Sequence, residues 1–220
     1  NAAVTGNVGL AYNADNGYRV AFGLSSGFRA PNLAELTSYG VHHGTNRFEI
    51  GNPDLESERN FQTDLSLEYG NQHFEVFANG FYNSLNNYIY AAPNGEFEEE
   101  YAVYEYIQND AELYGGEFGI HLHPHPLDWL HLESNFEMVI GKQKNGDYLP
   151  LIPANKWSNT IRGEFAGNKL FKDMYVALNL DSFADQDRTN EFEANTDGYS
   201  LLNFRSGGNI ELNKVDISVN

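Results

Sequence analysis

The sequence is dominated by runs of about ten residues in which apolar and polar side chains alternate, as they do along a β-strand with two chemically different faces. One clear run begins at Tyr18, where Val20, Phe22 and Leu24 fall on the same face and small or polar residues fall on the other. Further runs of this kind cover residues 4–12, 61–69, 74–80, 130–140 and 176–180. A helical period fits almost nowhere, so the sequence predicts an all-β fold.

The connections between these runs alternate between short and long. Short turns are predicted at 13–17, 70–72, 124–128 and 166–172, and long polar segments at 29–57, 91–101, 141–156 and 184–198. A strand of about ten residues can cross a bilayer at a tilt, and short turns on one side with long loops on the other are typical of outer-membrane barrels. We therefore predict an antiparallel transmembrane β-barrel wall of about ten strands.

A soluble β-sandwich that acts as an adhesin or lectin is the alternative, because the strands of a sandwich also alternate. Its strands would typically have about five or six residues, whereas the runs here are longer. In a sandwich Val20, Leu67 and Leu178 would meet in a closed interior, and in a membrane barrel they would face outward. Aromatic residues also cluster at the predicted strand ends, as interfacial girdles do. They are Tyr12, Tyr18, Phe28, Tyr69, Tyr88, Tyr90, Trp129, Trp157 and Tyr199.

Charge and composition exclude several classes of protein. The chain has 13 Lys and Arg against 31 Asp and Glu, a net charge of -18, whereas a nucleic-acid-binding protein needs a cationic face. It has no cysteine, which excludes disulfides, thiolate metal sites and a cysteine nucleophile. The chain begins at Asn1 without a methionine and ends inside an alternating run at 215–219, so we interpret it as an interior piece of a longer protein.

A group of short motifs lies between Ser26 and Tyr69. The run GFRAP at 27–31 ends a predicted strand, a Glu35-Leu36 pair lies in the segment that follows, and GNPDLESE at 51–58 opens the next strand. Pro31 forces the preceding residue out of helical geometry, and Asn32 is placed to cap a short helical turn. Together these motifs resemble the barrel signature of TonB-dependent outer-membrane receptors. Shorter matches at 81–89, 116–117 and 151–157 extend the resemblance over most of the chain.

The resemblance implies a barrel of about 22 strands that is filled by an N-terminal plug domain. Residues 1–220 would then be a partial barrel domain that lacks the plug and the final strands. The implied function is import of a scarce extracellular ligand across the cell outer membrane of a Gram-negative bacterium, most commonly a ferric siderophore or another metal complex. The implied partners are outer-membrane lipid, the receptor's own plug, the TonB energy-coupling complex through the missing N-terminal part, and the small ligand.

The resemblance implies neither a cofactor nor an enzymatic activity. A self-contained outer-membrane barrel enzyme with an Asp/His pair is the alternative activity, since both residue types are plentiful on the predicted polar faces. Nothing in their order or spacing singles out a pair, and the G-x-S-x-G run at 23–27 lies in a predicted strand, not in a strained strand-to-helix elbow.

The first long segment contains the candidate ligand-binding residues, which are Arg29, Tyr39, His42, His43 and Arg47. The imidazoles of His42 and His43 are also candidate ligands for a metal ion or a haem iron. Adjacent residues of an extended chain point in opposite directions, which makes it difficult for both to bind one ion. The alternative is a polar, tyrosine-rich loop in which the two histidines only form hydrogen bonds.

A second group of histidines lies around the predicted turn at 124–128. His121 and His123 share one strand face, His125 follows in the turn, and His131 lies on the next strand. Such a group is typical of metal sites. Because it lies at a short turn, away from the side where solutes enter, we interpret it as a polar lining of the barrel rim.

Overall fold

The structure, a computed structural model, describes residues 4–165, 167, 171–212 and 215–219. Its elements are β1 (Gly6–Asn13), β2 (Tyr18–Arg29), α1 (Leu33–Thr37), β3 (Tyr39–His42), β4 (Arg47–Ile50), β5 (Glu58–Gly70), β6 (Phe74–Glu98), β7 (Tyr101–Leu122), β8 (Leu130–Gln143), β9 (Lys156–Phe165), β10 (Phe171–Phe183), β11 (Tyr199–Leu212) and β12 (Val215–Val219). The helix found in this part of the chain has only five residues, and none there has the length and apolar character that a membrane-spanning helix requires.

The strands of the described residues form one sheet. Ten of them make a wall in the order β1-β2-β5-β6-β7-β8-β9-β10-β11-β12, each antiparallel to the next. The predicted antiparallel fold and the count of about ten wall strands are therefore confirmed. The two remaining strands, β3 and β4, form a hairpin inside the connection between β2 and β5, which we call the first loop (residues 30–57).

The register between neighbouring strands gathers the apolar side chains on one face of the sheet. Val20 is paired with Leu67, and Leu178 with Phe204. Val20, Leu67 and Leu178 are 40%, 45% and 49% exposed, so they do not meet in a closed interior. The soluble sandwich is therefore wrong, because the described strands form a single sheet whose apolar face points outward, as it does in barrels that contact hydrocarbon.

The opposite face of the sheet, the polar face, carries hydrogen bonds that run from strand to strand. The side-chain amide of Asn179 on β10 donates to Ser158 Oγ on β9 at 2.9 Å. Its oxygen accepts a hydrogen bond of 3.1 Å from the amide of Asn203 on β11. Asn179 is buried, so these partners replace water that its amide would otherwise bind.

Three of the predicted short turns are confirmed, since the chain resumes as a strand at Tyr18, Phe74 and Leu130. The predicted turn at 166–172 lies mostly outside the described residues. The predicted loop at 91–101 is wrong: β6 continues to Glu98 and β7 begins at Tyr101, which leaves a tight turn. Beyond the apolar belt both faces of a hairpin meet water, so its strands lose the alternation by which a strand is recognised.

Candidate functional site

The first loop is a folded structure that rests on the long β6–β7 hairpin. It begins with α1, whose capping box is complete: Asn32 Oδ1 accepts from the Glu35 N–H at 2.9 Å, and Glu35 Oε2 accepts from the Asn32 N–H at 2.8 Å. The β3–β4 hairpin follows, and β4 pairs in parallel with β7, with Phe48 opposite Val103. The first loop and the β6–β7 hairpin therefore share one hydrogen-bonded sheet.

Arg29 joins three parts of this structure at the end of β2. Its Nε and Nη2 donate to Glu58 at 2.7 and 2.6 Å, and its Nη1 donates to both carboxylate oxygens of Glu35 at 2.8 and 2.9 Å. Glu58 Oε1 also accepts from the backbone N–H of Ile89 at 2.7 Å. Both glutamates are buried, so the single charge of the guanidinium offsets part of the charge of two carboxylates inside the fold. Ligand binding by Arg29 remains a prediction.

The GNP motif closes the first loop by packing on α1. An added Cβ at Gly51 would lie 2.5–2.7 Å from three backbone atoms of residues 36–38, which is far inside van der Waals contact. The Asn52 N–H donates to the Glu35 carbonyl at 2.8 Å, and Asn52 Oδ1 accepts from the Asp54 N–H at 2.9 Å. Gly51 and Asn52 thus hold the end of the first loop against α1, so the role of the GNP motif is structural.

Arg47 is held by a buried carboxylate and by aromatic residues of β7. Its Nε donates to Glu49 Oε1 at 2.8 Å, and its guanidinium lies 4.8 Å from the centre of the Tyr104 ring. The Tyr106 hydroxyl donates to the other oxygen of Glu49 at 3.1 Å. Burial raises the pKa of Glu49, but the hydrogen bonds from Arg47 and Tyr106 outweigh it and keep this pKa below its ordinary value. Glu49 therefore stays ionised and anchors Arg47.

Four of the five predicted site residues lie on the β3–β4 hairpin. Tyr39 is exposed and meets Phe48 edge to face at 5.3 Å. His42 Nδ1 lies 2.9 Å from Thr45 Oγ1, and His42 lies opposite Arg47 in the strand register. His43 lies in the turn between the two strands. Metal or ligand binding by these residues remains a prediction.

The sequence analysis missed the residues that hold this hairpin, above all Glu49, Tyr104 and Tyr106. The tyrosines are visible in the sequence as an aromatic run at 101–106, but the pattern predicts a loop as far as residue 101 and assigns the tyrosines after it no role. Glu35 and Glu58 were visible as motif residues, and only the structure shows that both meet Arg29.

The described residues contain one group of at least three side chains placed to share a metal ion. It is the histidine cluster His121, His123 and His131, at the other end of β7 from the first loop. The sequence interpretation as a polar rim lining did not anticipate that these rings would touch.

Comparison with known proteins matches this chain to a receptor family and to an outer membrane protein. The whole chain, residues 1–220, matches the family described as TonB dependent receptor-like, beta-barrel. The iron-regulated outer membrane virulence protein of Vibrio cholerae serotype O1 is 31% identical over 161 residues, which cover 66% of this chain and 24% of that protein.

Solved structures share the fold at low sequence identity. The copper transporter OprC superposes with a TM-score of 0.76 at 17% identity, over 96% of this chain and 31% of that one. The siderophore receptor PirA from Acinetobacter baumannii gives a TM-score of 0.65 at 14% identity, over 93% and 34%. The chain thus spans about a quarter to a third of the proteins it matches.

The match over the full chain agrees with the motifs at 27–58, with the antiparallel wall and with its outward apolar face. This chain belongs to the β-barrel family of TonB-dependent receptors and lies in the outer membrane.

Proposed function

We propose that the chain is part of the wall of a TonB-dependent transporter that captures a metal complex outside the cell, such as a ferric siderophore, and imports it. The observation that carries the proposal is the family match over residues 1–220, on a sheet whose apolar face points outward. The names of the similar proteins, which describe iron regulation, copper transport and a siderophore receptor, support a metal-containing ligand.

In this proposal the described wall is the static part of the transporter. The outward apolar face contacts lipid, and the polar face surrounds the receptor's own plug domain. The TonB complex supplies the energy through a segment outside these residues. No bond in the ligand is broken, so the protein is a transporter and not an enzyme.

The first loop and Arg29 at the end of β2 supply the ligand contacts in this proposal. Arg29 and Arg47 are both paired with carboxylates, so a ligand would compete with Glu35, Glu58 and Glu49 for their charge. Tyr39 offers an exposed aromatic ring, and His42 and His43 offer imidazoles that can form hydrogen bonds or ligate a metal. Such a surface suits an aromatic metal complex.

The function is tested by deleting the complete gene and growing the strain on single sources of iron, zinc, haem or cobalamin. We expect growth to fail on one metal-containing source and to return when the gene is supplied on a plasmid. Normal uptake from every source would contradict the metal-import proposal.

The ligand contacts are tested by replacing His42 and His43 with alanine in the full-length receptor. We expect the affinity for the ligand identified by the growth test to fall about tenfold, or about 1.4 kcal/mol, while the amount of assembled receptor is unchanged. His125→Ala is the control, because His125 is an exposed histidine at the opposite end of the wall. Equal affinity in the double variant and the control would exclude a role for His42 and His43.

A further inference from the structure

The histidine cluster lies on the polar face, beside the turn between β7 and β8. In the strand register, His121 lies opposite Glu75 on β6 and opposite Glu133 on β8. His131 lies opposite Arg162 on β9. His123 follows the end of β7, and its ring centre lies 4.0 Å from that of His121 and 4.5 Å from that of His131. Imidazoles from β7, from the residue after β7 and from β8 therefore meet at one point of the wall.

The spacing of the three rings is close to that of a metal site. Two nitrogens bound to one tetrahedral zinc ion, each about 2.05 Å from it, lie about 3.3 Å apart. His121 Nε2 lies 3.2 Å from His131 Nδ1, and His123 Nε2 lies 3.2 Å from His121 Nδ1. One nitrogen from each ring can be chosen so that all three lie within 4.8 Å of one another. The two 3.2 Å distances use opposite nitrogens of His121, so binding one ion would need this set to contract by up to about 1.5 Å.

One nitrogen of the histidine cluster lacks a partner. His131 Nε2 is buried and forms no hydrogen bond, and the side chain is only 14% exposed. Glu164 Oε1 lies 3.5 Å from it, beyond normal hydrogen-bond distance. If His131 binds a metal through Nδ1, then Nε2 carries the proton and faces the Glu164 carboxylate, which is the usual partner of a metal-bound imidazole.

The surroundings of the histidine cluster favour a cation. Glu75 Oε2 and Glu133 Oε1 lie 3.9 and 3.8 Å from the two nitrogens of His121. A cavity of about 280 Å³ lined by Glu75, His121 and Glu133 opens beside His121 and gives water access to it. Arg162 is the opposing charge, and it is engaged by Glu164 at 2.8 Å.

We propose that His121, His123 and His131 bind one divalent transition-metal ion of the Zn²⁺ or Cu²⁺ class, with a glutamate or a water as the fourth ligand. This inference goes beyond the proposed import function, because the site lies at the opposite end of the wall from the first loop. The ion would join β7 to β8 across their turn, so it should also stabilise the folded receptor.

The test uses the full-length receptor in detergent, stripped with EDTA and titrated with Zn²⁺ alone. We expect His121→Ala and His131→Ala each to bind one zinc equivalent fewer than the wild type, whereas His125→Ala keeps it. His125 is the matched control, since it lies in the same turn and is exposed beside Asp128. Wild-type Co²⁺ absorption should show the intense visible bands of a tetrahedral site, and both cluster variants should lose them.

Assembly is checked separately by the heat-dependent migration of the barrel on gels. If either strand variant fails to assemble, His123→Ala takes its place, because His123 lies outside the strands. Equal zinc stoichiometry and equal Co²⁺ spectra in assembled cluster variants and wild type would overturn the proposal. Because no step of this test depends on transport, its failure leaves the import proposal standing, and the His42/His43 double variant should retain the zinc equivalent.

Discussion

Replacement of Arg29 by alanine is expected to release the first loop from the wall. The change leaves two buried carboxylates, Glu35 and Glu58, without their common cation. Removing one partner of a buried ion pair costs about 3–5 kcal/mol, and because the Arg29 side chain is 43% exposed we expect about 2–3 kcal/mol for local opening. That free energy corresponds to a roughly 30- to 150-fold increase in the open fraction.

The opening is measured in the full-length receptor by limited proteolysis and by hydrogen exchange over residues 30–57. Arg19→Ala is the matched control, since it removes another β2 arginine whose ion pair with Glu68 is exposed, with side chains 50% and 40% accessible. Such a pair contributes less than about 1 kcal/mol. Similar protection of the first loop in both variants would show that the Arg29 pairs do not hold it.

Placing arginine at Leu65 is expected to impair insertion of the barrel. Leu65 lies in the middle of β5, between Phe22 and Gly80 on the neighbouring strands, and its side chain is exposed on the apolar face. An arginine on the lipid-facing side costs about 2–4 kcal/mol at the bilayer midplane. The measurement is the fraction of full-length receptor that reaches the outer membrane in a heat-modifiable, assembled form.

Ser66→Arg is the control for this substitution because it adds the same charge one residue later, on the polar face. There the arginine lies between Asp64 and Glu68, whose carboxylates can balance it. We expect assembly close to that of the wild type. If both variants assembled equally well, the assignment of the apolar face to lipid would be wrong.

The wall was predictable from the sequence because the bilayer requires apolar side chains on the face that contacts lipid, and the polarity of each residue shows which face it occupies. Val20 and Leu67 reveal their face by polarity, without knowledge of their partners. The same rule fails where the hairpin leaves the bilayer, and the segment at 91–101 was therefore assigned to a loop although its strands are paired as far as Glu98 and Tyr101.

The candidate site was less predictable because its contacts join distant parts of the chain. Arg29 was recognised by its charge, but its partner Glu58 lies 29 residues away, and Glu49 and Tyr106 are 57 residues apart. His121 and His131 are 10 residues apart and meet only because the turn between β7 and β8 has this length and register. Residue type indicates which chemistry a side chain can take part in. Only the pairing of strands decides which side chains come into contact.

The parallel pairing of β4 with β7 limits how this receptor can change during evolution. Residues 48–50 of β4 pair with residues 103–105 of β7, in the outer part of the hairpin where β7 also pairs with β6. A shorter β6–β7 hairpin would leave β4 without its hydrogen-bonding partner on β7. A longer first loop would shift the register of β4 against β7. The first loop and the β6–β7 hairpin must therefore vary in length together, unlike loops that do not pair with one another.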